Sequence, residues 1–256
     1  MRQATPPPVD DLAAAATYRC IVSNIGGSIT SNGAMLSIDT LTDVDGNVYH
    51  QVKIGSQVWT MENLKTTKYS DGTPILQVTD SAAWAATPTT PKYCQYNFRT
   101  NVDSLKKWGA LYNWYVVDTT NTKKIAPPGW HVPTDGEWTT IENYLIANKF
   151  NWDSPTTSNK IAQSLAAKSG WSTSTTVGAI GNDLALNNRS GFSALPAGQY
   201  NGAISNQSTL GIWWTTTWQY VPSAYFRYLS NNSDVLGSYN TGKSNGFSVR
   251  LVKNTN

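Results

Sequence analysis

The sequence predicts an α+β domain. Three observations lead there. Apolar side chains follow a helical period in only a few places, chiefly over residues 134–149. Short alternating or β-branched runs, such as residues 48–54 and 224–230, read as strands. Gly, Pro, Asn, Asp and Ser punctuate long stretches that follow neither period. Few strands, two principal helices and much irregular chain describe a fold in which helices pack beside a small sheet.

Composition narrows the function classes. Of 256 residues, 14% are charged and 39% apolar, while Trp (11) and Tyr (13) are abundant beside Asn, Ser, Thr and Gly. That balance suits a secreted or surface-displayed domain better than a cytosolic enzyme, and the enriched types are those favoured in binding loops. The net charge of +3 is spread without a basic run, so nucleic acid is excluded as a partner. No run of about 18 apolar residues is present, which excludes a spanning helix. The first residues, MRQATPPPVDD, lack the apolar core of a secretion signal, so the signal is expected to have been removed or the chain to travel by another route, such as within a larger particle. Cys20 and Cys94 allow one disulfide, but they lie in segments that look unrelated and read as two free thiols.

Residues 1–42 stand apart. Pro6 to Pro8 form a stiff start, and Tyr18 lies two residues before Cys20 on an expected strand, the tyrosine-corner arrangement of an immunoglobulin sandwich. A turn at Asn24 to Ser28 and a strand over residues 28–38 complete what reads as a partial immunoglobulin-like strand pair. Its earlier strands would be missing, and two strands bury no core alone.

From Asp43 the pattern changes. Asp45-Gly46 is a turn signal. A hairpin follows, with strands over 48–54 and 57–61 around Gly55-Ser56, offering Val52, Ile54, Val58 and Trp59 to the core. Asp43, Asp45 and Asn47 have the alternate spacing of a calcium loop, but Gly46 comes one place early and no Glu follows at the right distance, so the turn accounts for them. Residues 65–107 are long and irregular, with aromatics that should pack down. Trp108, Leu111, Tyr112 and Tyr115 have helical spacing, so residues 108–117 are expected to form a buried short helix. Three prolines make residues 126–133 an extended connection. Thr134 with Glu137 three places on is a capping box, opening a helix to about Lys149 with Trp138, Ile141, Leu145 and Ile146 on one stripe. A shorter helix is expected over 158–168, and a strand ending in a tight turn over 191–198.

The last part organises the rest. Trp213, Trp214 and Trp218 fall within six positions, residues 224–230 read as a strand, and residues 247–252 alternate. A strand has a side-chain period of two, so Tyr225, Arg227 and Leu229 share one face, expected inward, and Phe226, Tyr228 and Ser230 the other, expected outward.

Eight motifs then occur in order. They are Asp43-Val44-Asp45-Gly46-Asn47-Val48-Tyr49, Glu62-Asn63-Leu64, Asp71-Gly72-Thr73-Pro74-Ile75, Gly109-Ala110-Leu111-Tyr112-Asn113-Trp114-Tyr115, Pro127-Pro128-Gly129-Trp130-His131-Val132-Pro133-Thr134, Gly191-Phe192-Ser193-Ala194-Leu195-Pro196, Trp213-Trp214-Thr215 and Gly246-Phe247-Ser248-Val249-Arg250. The set resembles the Fibrobacter succinogenes major paralogous domain family, abundant in secreted and surface proteins of Bacteroidetes-like bacteria. The resemblance covers about residues 43–254. It implies a C-type-lectin-like domain over residues 43–256, with a small twisted antiparallel sheet, two main helices and long irregular loops. The fold is similar to that of the formylglycine-generating enzyme and of the variable proteins of diversity-generating retroelements. Some relatives are phage receptor-binding proteins or surface lipoproteins whose C-terminal segment varies. The positions that would vary here, and so bind ligand, are Trp218, Tyr220, Ser223, Phe226, Tyr228, Ser230, Asn232, Leu236 and Tyr239. Two departures matter. The Glu-Pro-Asn or Gln-Pro-Asp and Trp-Asn-Asp signatures of calcium-dependent sugar-binding lectins are missing, and no Cys follows Cys94, so the formylglycine-generating enzyme's cysteine pair has no counterpart.

Catalytic candidates are sparse. His50 reads as an exposed strand residue, His131 as a hydrogen-bonded structural one, Glu137 as a cap, and Cys94 as buried and inert. Arg227 and Arg250 lie among apolar neighbours and are expected to bond buried carbonyls or a carboxylate. Trp59, Trp114, Trp130, Trp138, Trp213 and Trp214 read as core. The expectation is a non-enzymatic module without cofactor or metal, outside a bacterium or on a phage virion. It would bind a protein or glycan on another cell or particle through its C-terminal third, with oligomeric state open. The alternative is a structural surface or matrix module without a specific ligand.

Overall fold

In the computed structural model, which describes residues 17–18, 21–24, 27–31, 34–35, 39–98, 100–220 and 222–255, the chain divides into two units, Met1–Thr40 and Leu41–Asn256. In the first, Ile21–Asn24 pairs antiparallel with Gly27–Thr30, and Thr17–Tyr18 with Ala34–Met35. The pair Asn24↔Gly27 closes the described part of the hairpin, and residues 25–26 between them lie outside the described residues. Cys20, residues 1–16 and residues 36–38 lie outside the described residues.

The second unit contains the expected hairpin, β1 (Val48–Ile54) and β2 (Gln57–Thr60), turned by Gly55 at φ +62°. Ile54 and Trp59 are buried, and Val52 and Val58 pack against the cores from partly covered positions. The long stretch that read as irregular contains helix α1 (Ser81–Ala86), strand β3 (Lys92–Cys94) and helix α2 (Val102–Trp108).

The expected helix over 108–117 does not form. Gly109, at φ +79°, ends α2, and an added Cβ there would stand 2.7 Å from Asn63 Cβ and 2.8 Å from Leu64 O. The chain continues as β4 (Leu111–Asn113), paired with β3 on one side, and then turns through a single 3₁₀ turn, Trp114–Val116. A strand buried on both faces shows no alternation, so its apolar run imitated a helix period.

Strand β5 (Trp130–His131) leads into α3 (Asp135–Ala147), capped as expected. Thr134 Oγ1 accepts from Glu137 N, and the Glu137 carboxylate accepts from Thr134 N. Trp138, Ile141 and Leu145 are buried. The helix expected over 158–168 shrinks to α4 (Ala162–Leu165), because Ala166 turns extended to bridge Ala194. For the same reason no strand forms over 191–198. Only Ala194 bridges, Ser193 sits at φ +57°, and the carbonyls of Phe192 and Ser193 turn to Arg250 instead.

After β6 (Gln199–Tyr200) come β7 (Leu210–Tyr220), β8 (Ser223–Ser230) and β9 (Gly237–Gly242), and then β10 (Gly246–Phe247) and β11 (Val252–Lys253). Strand β10 pairs with β4 and β6, whereas β11 pairs with β2 and β5. The alternating run 247–252 is therefore not one strand but a link between two sheets. Its alternation still sorts side chains. Phe247, Val249 and Leu251 enter one apolar core with Trp114 and Trp214, and Val252 enters a second with Trp59, Trp138, Phe192 and Trp213. All six Trp residues read as core are buried.

Arg250 is the polar centre of that link. Its Nε donates to Asn63 Oδ1 (2.9 Å), Nη1 to Thr60 O (2.7 Å) and Phe192 O (3.1 Å), and Nη2 to Ser193 O (3.1 Å). Asn63 Oδ1 also accepts from Trp213 Nε1 at 2.8 Å. Burial pushes the guanidinium down to about 9, still above neutrality, so the group stays charged. Arg250→Met should therefore cost about 3–5 kcal/mol in urea unfolding, since it strands buried acceptors. A loss below about 1 kcal/mol would mean that these carbonyls find other donors.

Candidate functional site

The candidate site is the antiparallel sheet β7-β8-β9. Cross-strand partners Ile212↔Tyr228, Trp214↔Phe226 and Phe226↔Tyr239 place Ile212, Trp214, Phe226, Tyr228 and Tyr239 on one face. Trp213, Tyr225, Arg227 and Leu229 lie on the other. Adjacent tryptophans thus serve opposite cores.

The register slips twice, first in the middle and again between Trp218 and Tyr220. Between Trp214↔Phe226 and Trp218↔Ala224, residues 215–217 face Tyr225 alone. This bulge re-aims three threonines. Thr215 Oγ1 donates to Tyr225 O (3.0 Å) and Thr215 O accepts from Trp114 Nε1 (2.9 Å). Thr216 N donates to Pro133 O (2.9 Å), and Thr217 Oγ1 accepts from Asp135 N (3.0 Å). The bulge ties the hairpin to the start of α3 and leaves Trp218 and Tyr220 beyond the anchored part.

The inner face is locked by Arg227. Its Nε lies 2.5 Å from Asp135 Oδ1, Nη1 2.8 Å from Glu142 Oε2, and Nη2 2.7 Å from Thr139 Oγ1. Asp135, Thr139 and Glu142 fall at helical spacing on α3, so one side of that helix holds the guanidinium. Arg227 and Arg250 both act as expected from their apolar surroundings.

The nine positions proposed for recognition separate. Trp218, Tyr220 and Tyr239 are 51%, 55% and 67% exposed, and Asn232 is exposed, its Oδ1 accepting from Ser230 Oγ at 2.6 Å. Phe226 and Tyr228 are only half-exposed, because Phe247 of the C-terminal link packs beneath Phe226 with ring centroids 5.1 Å apart. Gly237 fits under the Tyr228 ring, where an added Cβ would stand 2.2 Å away. Ser223 and Leu236 are buried, and both leave the candidate set. Leu236, 2% exposed, joins the second core with Leu229 and Ile161, because the turn after β8 folds back toward α4, where Ala162 N donates to Asp234 O. An aromatic strip of Tyr239, Phe226 and Tyr228 remains, with centroid spacings of 6.4 and 5.9 Å.

Two clefts lie elsewhere. One of about 350 Å³ is walled by Val116, Ile125, Trp130, Val132 and Thr216, with His131 and Lys124 among its lining residues. The other, about 300 Å³, lies between Tyr69, Ile75 and Pro91. His131 is held at both nitrogens, Nε2 2.7 Å from Glu137 Oε1 and Nδ1 2.6 Å from Asn254 Oδ1. The hydrogen bond to Glu137 raises its pKa above the ordinary value despite burial. Burial pushes the Glu137 carboxyl up, but hydrogen bonds from His131 and Thr134 outweigh it and hold the group below its ordinary value. His50 is half-buried rather than exposed, with Nδ1 2.6 Å from Glu62 Oε1.

Cys94 is free and buried, and burial pushes its thiol up. The Asp43 carboxylate takes hydrogen bonds from Asp45 N, Asn47 N, Asn47 Nδ2 and Tyr49 Oη. Among the described residues no group of three His, Cys, Asp or Glu side chains is placed to hold a metal ion. No described helix is long and apolar enough to cross a membrane. Residue patterns missed Lys243, which lies between the Trp114 and Trp218 rings. No local spacing marks a contact between residues so far apart.

Residues 52–253 match the family model described as the Fibrobacter succinogenes major domain. No curated protein and no solved structure matches the chain.

Leu236→Ala should lose about 2–4 kcal/mol of stability, whereas Tyr239→Ala should stay within about 0.5 kcal/mol; chemical denaturation of the two variants measures the contrast. The His131–Glu137 pair gives a pH prediction. The share from the raised His131 pKa is fully present below its unfolded value of 6.5 and is lost as pH rises through the folded value. The share from the lowered Glu137 pKa is present above 4.5 and is lost as pH falls through its folded value. His131→Gln should therefore cost about 0.5–1 kcal/mol near pH 5.5, as expected for a partly exposed pair, and less near pH 9. Equal costs at both pH values would show that the ring contributes by packing alone.

Proposed function

The chain belongs to the Fibrobacter succinogenes major domain family, and from that premise we propose that it is a non-enzymatic extracellular recognition module with a C-type-lectin-like fold. The observation that carries this is the outer part of the sheet β7-β8-β9. Tyr239 stands exposed on a sheet anchored from beneath by Arg227, and Trp218 and Tyr220 stand about half exposed on β7 just past the threonine bulge that ties that strand to α3. Rigid aromatic side chains held on a fixed scaffold bury large contact area for little entropy, and Ser230 and Asn232 add adaptable hydrogen bonding. A solvent-facing aromatic strip of this kind suits a protein or glycan partner.

The polar inventory agrees with a binding rather than a catalytic role. Both histidine rings are engaged by carboxylates, and the Cys94 thiol is buried. The proposed location is the bacterial cell surface or a phage particle. On this reading residues 1–42, with Tyr18, Cys20 and the hairpin Ile21–Asn24/Gly27–Thr30, form a partial immunoglobulin-like spacer. Retroelement-driven variation would act on Trp218, Tyr220, Asn232 and Tyr239, the exposed members of the set.

A screen against glycan arrays and bacterial cells, with the parent protein beside a Trp218→Ala/Tyr239→Ala double variant, tests the surface. The parent should bind at least one target, with affinity falling more than about tenfold in the variant, as for the loss of aromatic anchors. Equal binding by both would place recognition elsewhere, and a parent that binds nothing would favour the structural-module reading.

A further inference from the structure

Four cations are buried among the described residues, and three are fully provided for. Arg250 and Arg227 have the partners given above. Lys92 Nζ donates to the carbonyls of Trp84 and Thr87 and to Thr87 Oγ1. Lys243, only 7% exposed, is the exception. Its ammonium lies 3.9 Å from the Trp114 ring centroid and 4.9 Å from that of Trp218. Among the described residues it takes part in no hydrogen bond and no ion pair. Aromatic faces attract a cation through their quadrupole, but they leave an ammonium's N–H donors without lone pairs. The Nζ itself is not sealed from solvent, so its open donors face water at the mouth of a largely covered site, where an anion from outside the chain would take the water's place.

The position is built rather than incidental. Lys243 follows β9, its N–H donating to Pro222 O at the β7–β8 turn and its carbonyl accepting from Trp114 N, both at 2.9 Å. The backbone is thus pinned from two sides. Trp114 forms the buried inner wall. Trp218, half-exposed, forms the outer one and presents ring surface to solvent. Its cross-strand partner is Ala224, too small to cover that ring.

We propose that Lys243, between Trp114 and Trp218, is an anion subsite for an acidic saccharide, which lays a pyranose ring on Trp218 and brings a carboxylate or sulfate ester to the ammonium. The proposal rests on the sheet being a recognition surface and names the ligand class. A saccharide fits better than an acidic peptide because the site joins a flat exposed indole to a single point charge. The C–H face of a sugar ring uses the first and its acidic substituent the second.

The test follows the Trp218 indole N–H signal by NMR during titration with trigalacturonate, a sulfated galactan oligosaccharide, neutral maltotriose and an oligoglutamate peptide. At least one acidic saccharide should shift the signal, more strongly than maltotriose or the peptide. Its affinity should fall at least about tenfold in Lys243→Met and weaken in high salt. Equal affinity in Lys243→Met, equal shifts by maltotriose or oligoglutamate, or no shift with either acidic saccharide would overturn the subsite. Thermal melting checks that the variant folds. Should it not fold, the comparison of acidic and neutral probes on the parent decides alone. Partner binding that survives Lys243→Met but is lost in Trp218→Ala/Tyr239→Ala would remove the subsite and leave the recognition surface standing.

Discussion

Asn63 Oδ1 accepts from both Arg250 and Trp213, and most of the domain is arranged around that junction. A buried guanidinium is tolerable only when its donors are met. The acceptors come from β2 (Thr60), from the segment after it (Asn63) and from the irregular 192–193 stretch. Segments about 190 residues apart are therefore held to one point. Meeting this need removes the 192–193 carbonyls from any strand and sends the C-terminal link between two sheets. It also sets Trp213 against Trp138 and Phe192, with centroids 5.9 and 6.5 Å away.

Arg227 repeats the device at smaller scale and closer to the candidate site. It fastens the middle strand of the sheet to one side of α3 through Asp135, Thr139 and Glu142. Phe247 supports the opposite face from the C-terminal link. With both faces of β8 occupied, its aromatics are half-covered. The most exposed rings fall instead on β7 past the bulge and on the edge strand β9. Rigidity beneath and exposure at the margins are what a recognition surface needs, because binding then orders little that is not already ordered.

Much of this was legible in the residues. The β1–β2 hairpin, the Thr134–Glu137 capping box and the α3 stripe were readable because each is specified within a few residues by turn chemistry, capping and period. The two-faced reading of residues 224–230 succeeded for Arg227 and Leu229 for the same reason. Errors came where a run is apolar on every side, as at Leu111 to Asn113. They came also where a distant group claims the backbone, as Arg250 does at Phe192 and Ser193. Of the nine positions, Trp218, Tyr220, Asn232 and Tyr239 are exposed. Ser223 and Leu236 are buried, because neighbours from elsewhere in the chain cover them.

The sequence by itself determined which side chains share a face, where α3 begins, and which tryptophans belong to motifs rather than to a surface. Those features depend on chirality, strand period and neighbours within a turn of chain. Only the tertiary structure decided which faces meet water, that Leu236 turns inward, that residues 111–113 extend, and that Lys243 stands between two indoles with no acceptor among the described residues. Exposure and partnership depend on what packs from elsewhere in the chain, and a side-chain period carries no information about that.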